Sequence, residues 1–161
     1  GASNASGSAI AQTLTTTGTS VGSATYTVTP KANGCSGAPF TVVVTVNPIP
    51  TGSATPPAAT VCSGSAPNIV LSGPVSGTTF DWTVAATDVS GASNGSGATI
   101  AQTLTATTTA TGTVTYTVTP TANGCPGTPF TVVVTVDPIP TGSASPSSDA
   151  ICSGTAPNIL L

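Results

Sequence analysis

Four cysteines carry most of the chemistry this sequence could do. Cys35 and Cys125 each follow Asn-Gly, and Cys62 and Cys152 each precede Ser-Gly. Thiols at such wide spacing can oxidise to a disulfide, help to bind a soft metal, or stay reduced. A metal site would need a His or a third Cys beside the pair, and neither accompanies it. The charged side chains are few: Asp81, Asp88, Asp137, Asp149 and Lys31. The chain has no His, Glu, Arg or Met. General acid–base catalysis needs a group with a tunable pKa held at the substrate. Serine and threonine are abundant, but as nucleophiles they need a base to activate them. One lysine and four dispersed aspartates do not supply these parts. The inventory therefore predicts a non-catalytic protein with no catalytic, cofactor-binding or metal-ligating residue.

The same inventory excludes other classes. Binding phosphates takes clustered Lys and Arg, and a net charge of −3 with one lysine offers no cluster, so no nucleic-acid partner is expected. The longest strongly apolar stretch, Phe40 to Val46, is far short of the ~20 residues of a membrane helix. No membrane insertion is expected, and the opening residues are not expected to act as a signal peptide. Disorder goes with low hydrophobicity, whereas 38% of these residues are hydrophobic. Thr and Val dominate, and both suit a pleated, half-buried surface.

The elements that position the cysteines repeat. Gly1-Ala2-Ser3-Asn4 recurs as Gly91-Ala92-Ser93-Asn94, Ala11-Gln12-Thr13-Leu14 as Ala101-Gln102-Thr103-Leu104, and Asn33-Gly34-Cys35 as Asn123-Gly124-Cys125. The offset is always 90, and aligning 1–71 on 91–161 without a gap gives 50 identities in 71 positions. A solenoid unit takes roughly 20–45 residues, so this period is too long for one, but it suits an Ig-like sandwich. Cutting at Asn47-Pro48-Ile49-Pro50 and its copy Asp137-Pro138-Ile139-Pro140 gives one complete repeat, 51–140. The C-terminal part of another, 1–50, precedes it, and the start of a third, 141–161, follows. Because the first residue falls in mid-repeat, a longer parent array is expected.

Alternation then predicts strands. In Thr78 to Val84, Phe80, Trp82 and Val84 share a face. In Thr113 to Pro120, Val114, Tyr116 and Val118 face inward and Thr115, Thr117 and Thr119 outward. In Phe130 to Val136, Val132, Val134 and Val136 share a face. Short strands are expected at Asn68 to Leu71, Ile100 to Thr105, Thr60-Val61 and Thr87 to Val89. Seven strands per period predict an all-β fold of tandem Ig-like β-sandwich repeats, and nothing shows helical spacing.

Two cysteines per period suggest a disulfide between Cys62 and Cys125 in an oxidising compartment, with free buried thiols as the rival reading. The bond would close a loop of 64 residues, worth roughly 4 kcal/mol in the chain-entropy account. Trp82, the single tryptophan, is expected to pack near that bridge, and Tyr116 is expected in the core.

Other features favour plain readings. Asp81 and Asp88 suggest calcium, but calcium prefers more oxygen ligands than they offer, so solvated aspartates are expected. Lys31 suggests an isopeptide crosslink, yet its counterpart is Thr121. Asn4-Ala5-Ser6 and Asn94-Gly95-Ser96 match a short glycosylation sequon that a turn explains as well. The outward threonine rows could order water as on ice-binding surfaces; an uncharged exposed β face is the simpler account.

Thr113 to Thr119, Asn123-Gly124-Cys125 and Phe130 to Val136 together resemble the PKD-like repeats of Bacteroidetes cell-surface adhesins. Val61-Cys62-Ser63-Gly64, Ala66-Pro67-Asn68-Ile69 and Thr79-Phe80-Asp81-Trp82-Thr83-Val84 fit the same pattern. At Asp81-Trp82-Thr83-Val84 the chain departs from other PKD domains, whose acidic, Gly-containing turn it lacks. The resemblance implies Ig-like sandwiches in long secreted proteins of the bacterial cell surface, among them adhesins of the gliding-motility type. It also implies export by the type IX pathway.

The function expected is a structural repeat of a long extracellular adhesin or filament, acting as an extended disulfide-stabilised stalk. The alternatives are a carbohydrate-binding module and a spacer in a secreted enzyme. The expected partners are neighbouring repeats of the same chain, laterally associated stalks, and a surface polysaccharide held by a tip elsewhere in the protein. Pro48 and Pro50 stiffen the connection, so successive repeats are expected end to end.

Overall fold

The computed structural model describes residues 1–160, which form strands, turns and irregular backbone without a helix. Leu161, the last residue of the predicted 141–161 segment, lies outside the described residues.

Residues 1–50 carry β1 (Gly22–Val28), β2 (Lys31–Ala32), β3 (Cys35–Ser36) and β4 (Phe40–Val46). The body that follows begins with β5 (Ser53–Thr55), β6 (Ala58–Cys62), β7 (Ile69–Ser72) and β8 (Thr79–Thr87). Short strands come next: β9 (Val89–Ser90), β10 (Gly95–Ser96), β11 (Thr99–Ile100) and β12 (Thr105–Ala106). It closes with β13 (Gly112–Ala122), β14 (Cys125–Pro126) and β15 (Phe130–Asp137).

The larger sheet has the order β10-β8-β13-β15-β6, with β14 folded back on β13. The smaller sheet is β11-β7-β5. All pairings are antiparallel except that of β15 with β6. Period-2 alternation turns one row of side chains from each sheet inward. The large sheet contributes Phe80, Trp82, Val114, Tyr116, Val118, Val132, Val134 and Val136. Ile69, Leu71, Ile100 and Leu104 meet them, and none of the twelve is more than 6% exposed. The expected facing of Trp82, Tyr116, Val118, Val132 and Val134 is therefore the observed one, and Val84 is half-buried beside them.

The expected strand from Ile100 to Thr105 is two strands instead. β11 ends at Ile100 and β12 begins at Thr105. The chain between them is tied by Gln102 to Ser93, and by the Leu104 N–H to the Ser65 carbonyl at 2.9 Å.

The repeated sequence supplies its own control. β4 and the start of β15 are the same heptapeptide, and β1 pairs with β4 as β13 pairs with β15. Yet Val42 is 36% exposed while Val132 is 0%. Residues 1–50 contain no counterpart of 51–90 to cover that face, so burial here comes from the opposite sheet and not from strand pairing.

Candidate functional site at the ends and outer face of the sandwich

A polar clamp ties the 91–104 loop to the core. The Ser93 N–H donates to Gln102 Oε1 at 3.1 Å, and Gln102 Nε2 donates to the Ser93 carbonyl at 2.8 Å. Tyr116, fully buried, donates its hydroxyl to the same Oε1 at 3.1 Å. Ser3, Gln12 and Tyr26 repeat the arrangement. Gln12 and Gln102 are the only glutamines in the chain. Their recurrence at the same place in each period was the signal that could have marked this clamp. Trp82 packs under Gly95 and donates its indole N–H to the Ser93 carbonyl at 3.3 Å. Its neighbour is thus this loop and no disulfide.

Burial holds the Tyr116 phenol above its ordinary pKa. An acid whose folded pKa is raised stabilises the fold below its unfolded value, near 10, and that contribution disappears as pH rises through the folded value. Stability should therefore fall above about pH 10. Tyr116→Phe should flatten that alkaline slope and cost about 1 kcal/mol at neutral pH, as for a single neutral hydrogen bond. Urea denaturation at a series of pH values checks both; a slope unchanged in the phenylalanine variant would refute the assignment.

The outward face of the large sheet is a threonine grid. Thr83, Thr117 and Thr131 are directly opposite one another across three strands, and Thr87, Thr113, Thr135 and Thr60 across four. The charges on this face are Asp81 at one end and Asp137 at the other, where Thr111 Oγ1 donates to Asp137 Oδ1 at 3.0 Å. Between these two aspartates the face carries no charge and no exposed aromatic: Phe80, Trp82 and Tyr116 are inside, and Phe130 is half-buried.

The ends of the sandwich do different work. One end holds the hairpin of β13 and β14, turned by Asn123 and Gly124 with φ of 50° and 76°. Positive φ at both central residues fits a tight hairpin turn, for which Asn-Gly is the favoured pair. The segment 47–50 seats on this end. Asn47 Nδ2 donates to the Asn123 carbonyl at 3.1 Å. Pro48 and Pro50 are fully buried, while Ile49 between them is 70% exposed. A Cβ on Gly127 would fall within 1.9 Å of the Pro50 carbonyl oxygen, and one on Gly52 within 2.6 Å of the Phe130 ring. In the second linker, followed only by 141–160, Pro138 is half-buried and Pro140 exposed. The linker is therefore fixed by the body that follows it. The chain leaves that body at the opposite end, after β15 has run the length of the sheet to Asp137.

The candidate cysteine pair is corrected by this geometry. Cys125 pairs with Ala122 at the hairpin end. Cys62 pairs with Asp137 at the other end, level with Thr111. Eleven residues of extended strand separate Ala122 from Thr111, which at ~3.3 Å each is roughly 36 Å. A disulfide needs Cα atoms no more than about 7 Å apart. Cys62 and Cys125 are accordingly both free, as are Cys35 and Cys152. Counting two cysteines per period gave their number without saying at which end of the strands each one falls.

Of the other residues singled out, Asp81 lies opposite Thr119 and Asp88 in the turn after β8, with φ of 57°. Seven residues of strand, about 23 Å, separate them, so they share no site. Lys31 is exposed. Asn94 Oδ1 accepts the Val84 N–H at 2.9 Å, so the sequon asparagine is tied to β8.

Two packed sheets in Ig-like order, a core without an orphaned polar atom among the described residues, and specialised ends define an all-β building module. The sequence model for the PKD-like domain matches residues 1–50 and 59–140, which is most of the chain, and the chain belongs to that family. Modules of this family are typically structural rather than catalytic and usually occur in extracellular or surface proteins. No curated protein matches the chain in sequence.

Proposed function

We propose that this chain is a length of an extended, non-catalytic stalk on a bacterial cell surface. In this reading it holds an adhesive part of the same protein away from the cell, as in adhesins of the gliding-motility type. One observation carries the reading: the chain enters a sandwich at one end and leaves it at the other, through a linker whose prolines are buried against the next body. Tandem copies joined in this way stack along one axis. Each copy adds about 36 Å of strand, or some 40 Å with its turns. The near-absence of charge leaves little for salt to screen. It also leaves the threonine faces of neighbouring stalks without mutual repulsion, which supports lateral association. No observation favours direct gripping of polysaccharide, because in the body 51–140 Phe80, Trp82 and Tyr116 are in the core and Phe130 is half-buried.

Electron microscopy of multi-repeat chains tests the joint. The unaltered chain should give stiff threads. Gly127→Val in every repeat should give bent ones, since the added side chain overlaps the Pro50 carbonyl; it also meets buried Pro120 of β13 at 3.0 Å, so a modest fall in melting temperature should accompany the bending. Threads that bend equally in both would refute the seated linker.

A further inference from the structure

The cysteines that cannot meet within a sandwich are placed to meet between sandwiches. In the body 51–140, Cys62 is beside Asp137, and the Ser63 N–H donates to the Asp137 carbonyl at 2.8 Å. Asn47 occupies the place of Asp137 one period earlier. A complete preceding repeat therefore sets its own Cys62 counterpart beside Asn47. The Asn47 amide in turn reaches the Asn123 carbonyl, two residues from Cys125. The cover over the hairpin shows in the thiols: Cys125, with the linker seated on its end, is half-buried, whereas Cys35, on whose hairpin no linker is seated among the described residues, is exposed.

We propose that, wherever one complete repeat follows another, the Cys62-type thiol of the first is bonded to the Cys125-type thiol of the second. The array would then be stapled at every junction. The proposal rests on the end-to-end reading of the repeats. The oxidant is a small-molecule disulfide such as oxidised glutathione. One protein thiolate attacks it and expels one thiol; the second protein thiolate then attacks the mixed disulfide and expels the other. Two protein thiols are thus oxidised to one disulfide, and one small disulfide is reduced to two thiols.

The spacing gives these staples a mechanical consequence. From Cys35 to Cys62, and again from Cys125 to Cys152, is 27 residues. The first of these segments runs from the hairpin end of one unit, down β4, through the linker, and down β6 to the far end of the next. In a stapled array, each such segment leads through a disulfide into another one two repeats on. The shortest covalent path is then 27 residues per two repeats, or about 92 Å when fully extended. Two folded sandwiches already span roughly 80 Å. A stapled stalk could hardly lengthen even if its sandwiches unfolded. An unstapled repeat of 90 residues would gain about 270 Å on unfolding.

The test uses the repeat joined in frame eight times, each copy holding its full core, after equilibration with oxidised and reduced glutathione. Non-reducing peptide mapping should find Cys62-type peptides crosslinked to Cys125-type peptides of the following copy. Pulling single molecules should give steps of about 270 Å only after reduction or in the array with every Cys62 replaced by serine. Thiols that remain free, bonds between like cysteines, or long steps in the oxidised array would overturn the proposal. Scattering from the reduced array reports the end-to-end arrangement separately. A linear array with free thiols refutes the staple alone, and a compact array refutes the reading beneath it.

Discussion

Trp82→Ala is expected to destabilise the sandwich by about 3–5 kcal/mol, the range for a large aromatic removed from a core. Trp82 is 6% exposed on β8 of the large sheet, opposite Val118 on one side and Gly95 on the other. The substitution empties the space between the sheets and also removes the donor to the Ser93 carbonyl. The 91–104 loop, which Gln102 ties to Ser93 and to Tyr116 of β13, loses one of its anchors at the same time. For a body of this size the melting temperature should drop by roughly 15–30 °C. Trp82→Phe should cost less, because a ring still fills much of the volume. Thermal and urea unfolding of the two variants measure both effects, and an alanine variant that melts with the parent would refute the packing described.

Gly91→Ala is the second large effect. Gly91 has φ of 89°, and a Cβ there would lie 2.1 Å from the Thr103 carbonyl oxygen. The left-handed conformation alone costs a non-glycine residue about 1–2 kcal/mol. The overlap adds the cost of pushing the Thr103 backbone away, and Leu104 beside it is fully buried. We expect a loss of about 2–4 kcal/mol in total, the overlap being of the order of core overpacking. Gly124→Ala separates the two terms. Gly124 has φ of 76° with nothing within 4 Å of its Cβ position, so only the conformational cost of about 1–2 kcal/mol applies. Equal losses at the two positions in urea unfolding would show that the contact with Thr103 is not there.

The residues that were legible in the sequence are those whose role follows from period-2 alternation. Phe80 and Trp82, Val114 to Val118, and Val132 to Val136 each read correctly because one sheet face is buried and the other wet. Three features were not legible, each for a physical reason. Gln102 interrupts a strand-like run because its side chain bonds back to Ser93, nine residues earlier, and to the Tyr116 hydroxyl instead of following the alternation. The neighbour of Trp82 is Gly95, chosen by the absence of a side chain, and absence gives no pattern. The cysteines were misassigned because parity counts partners without placing them. Only the parallel pairing of β6 on β15 puts Cys62 at the end opposite Cys125.

The account stands on successive sandwiches lying along one axis. Small-angle scattering from chains of two, four and eight repeats measures this most directly. We predict a maximum dimension that grows nearly linearly, by about 40 Å for each added repeat, at both low and high salt. A dimension that levels off as copies are added, as in bodies folded back on one another, would contradict it.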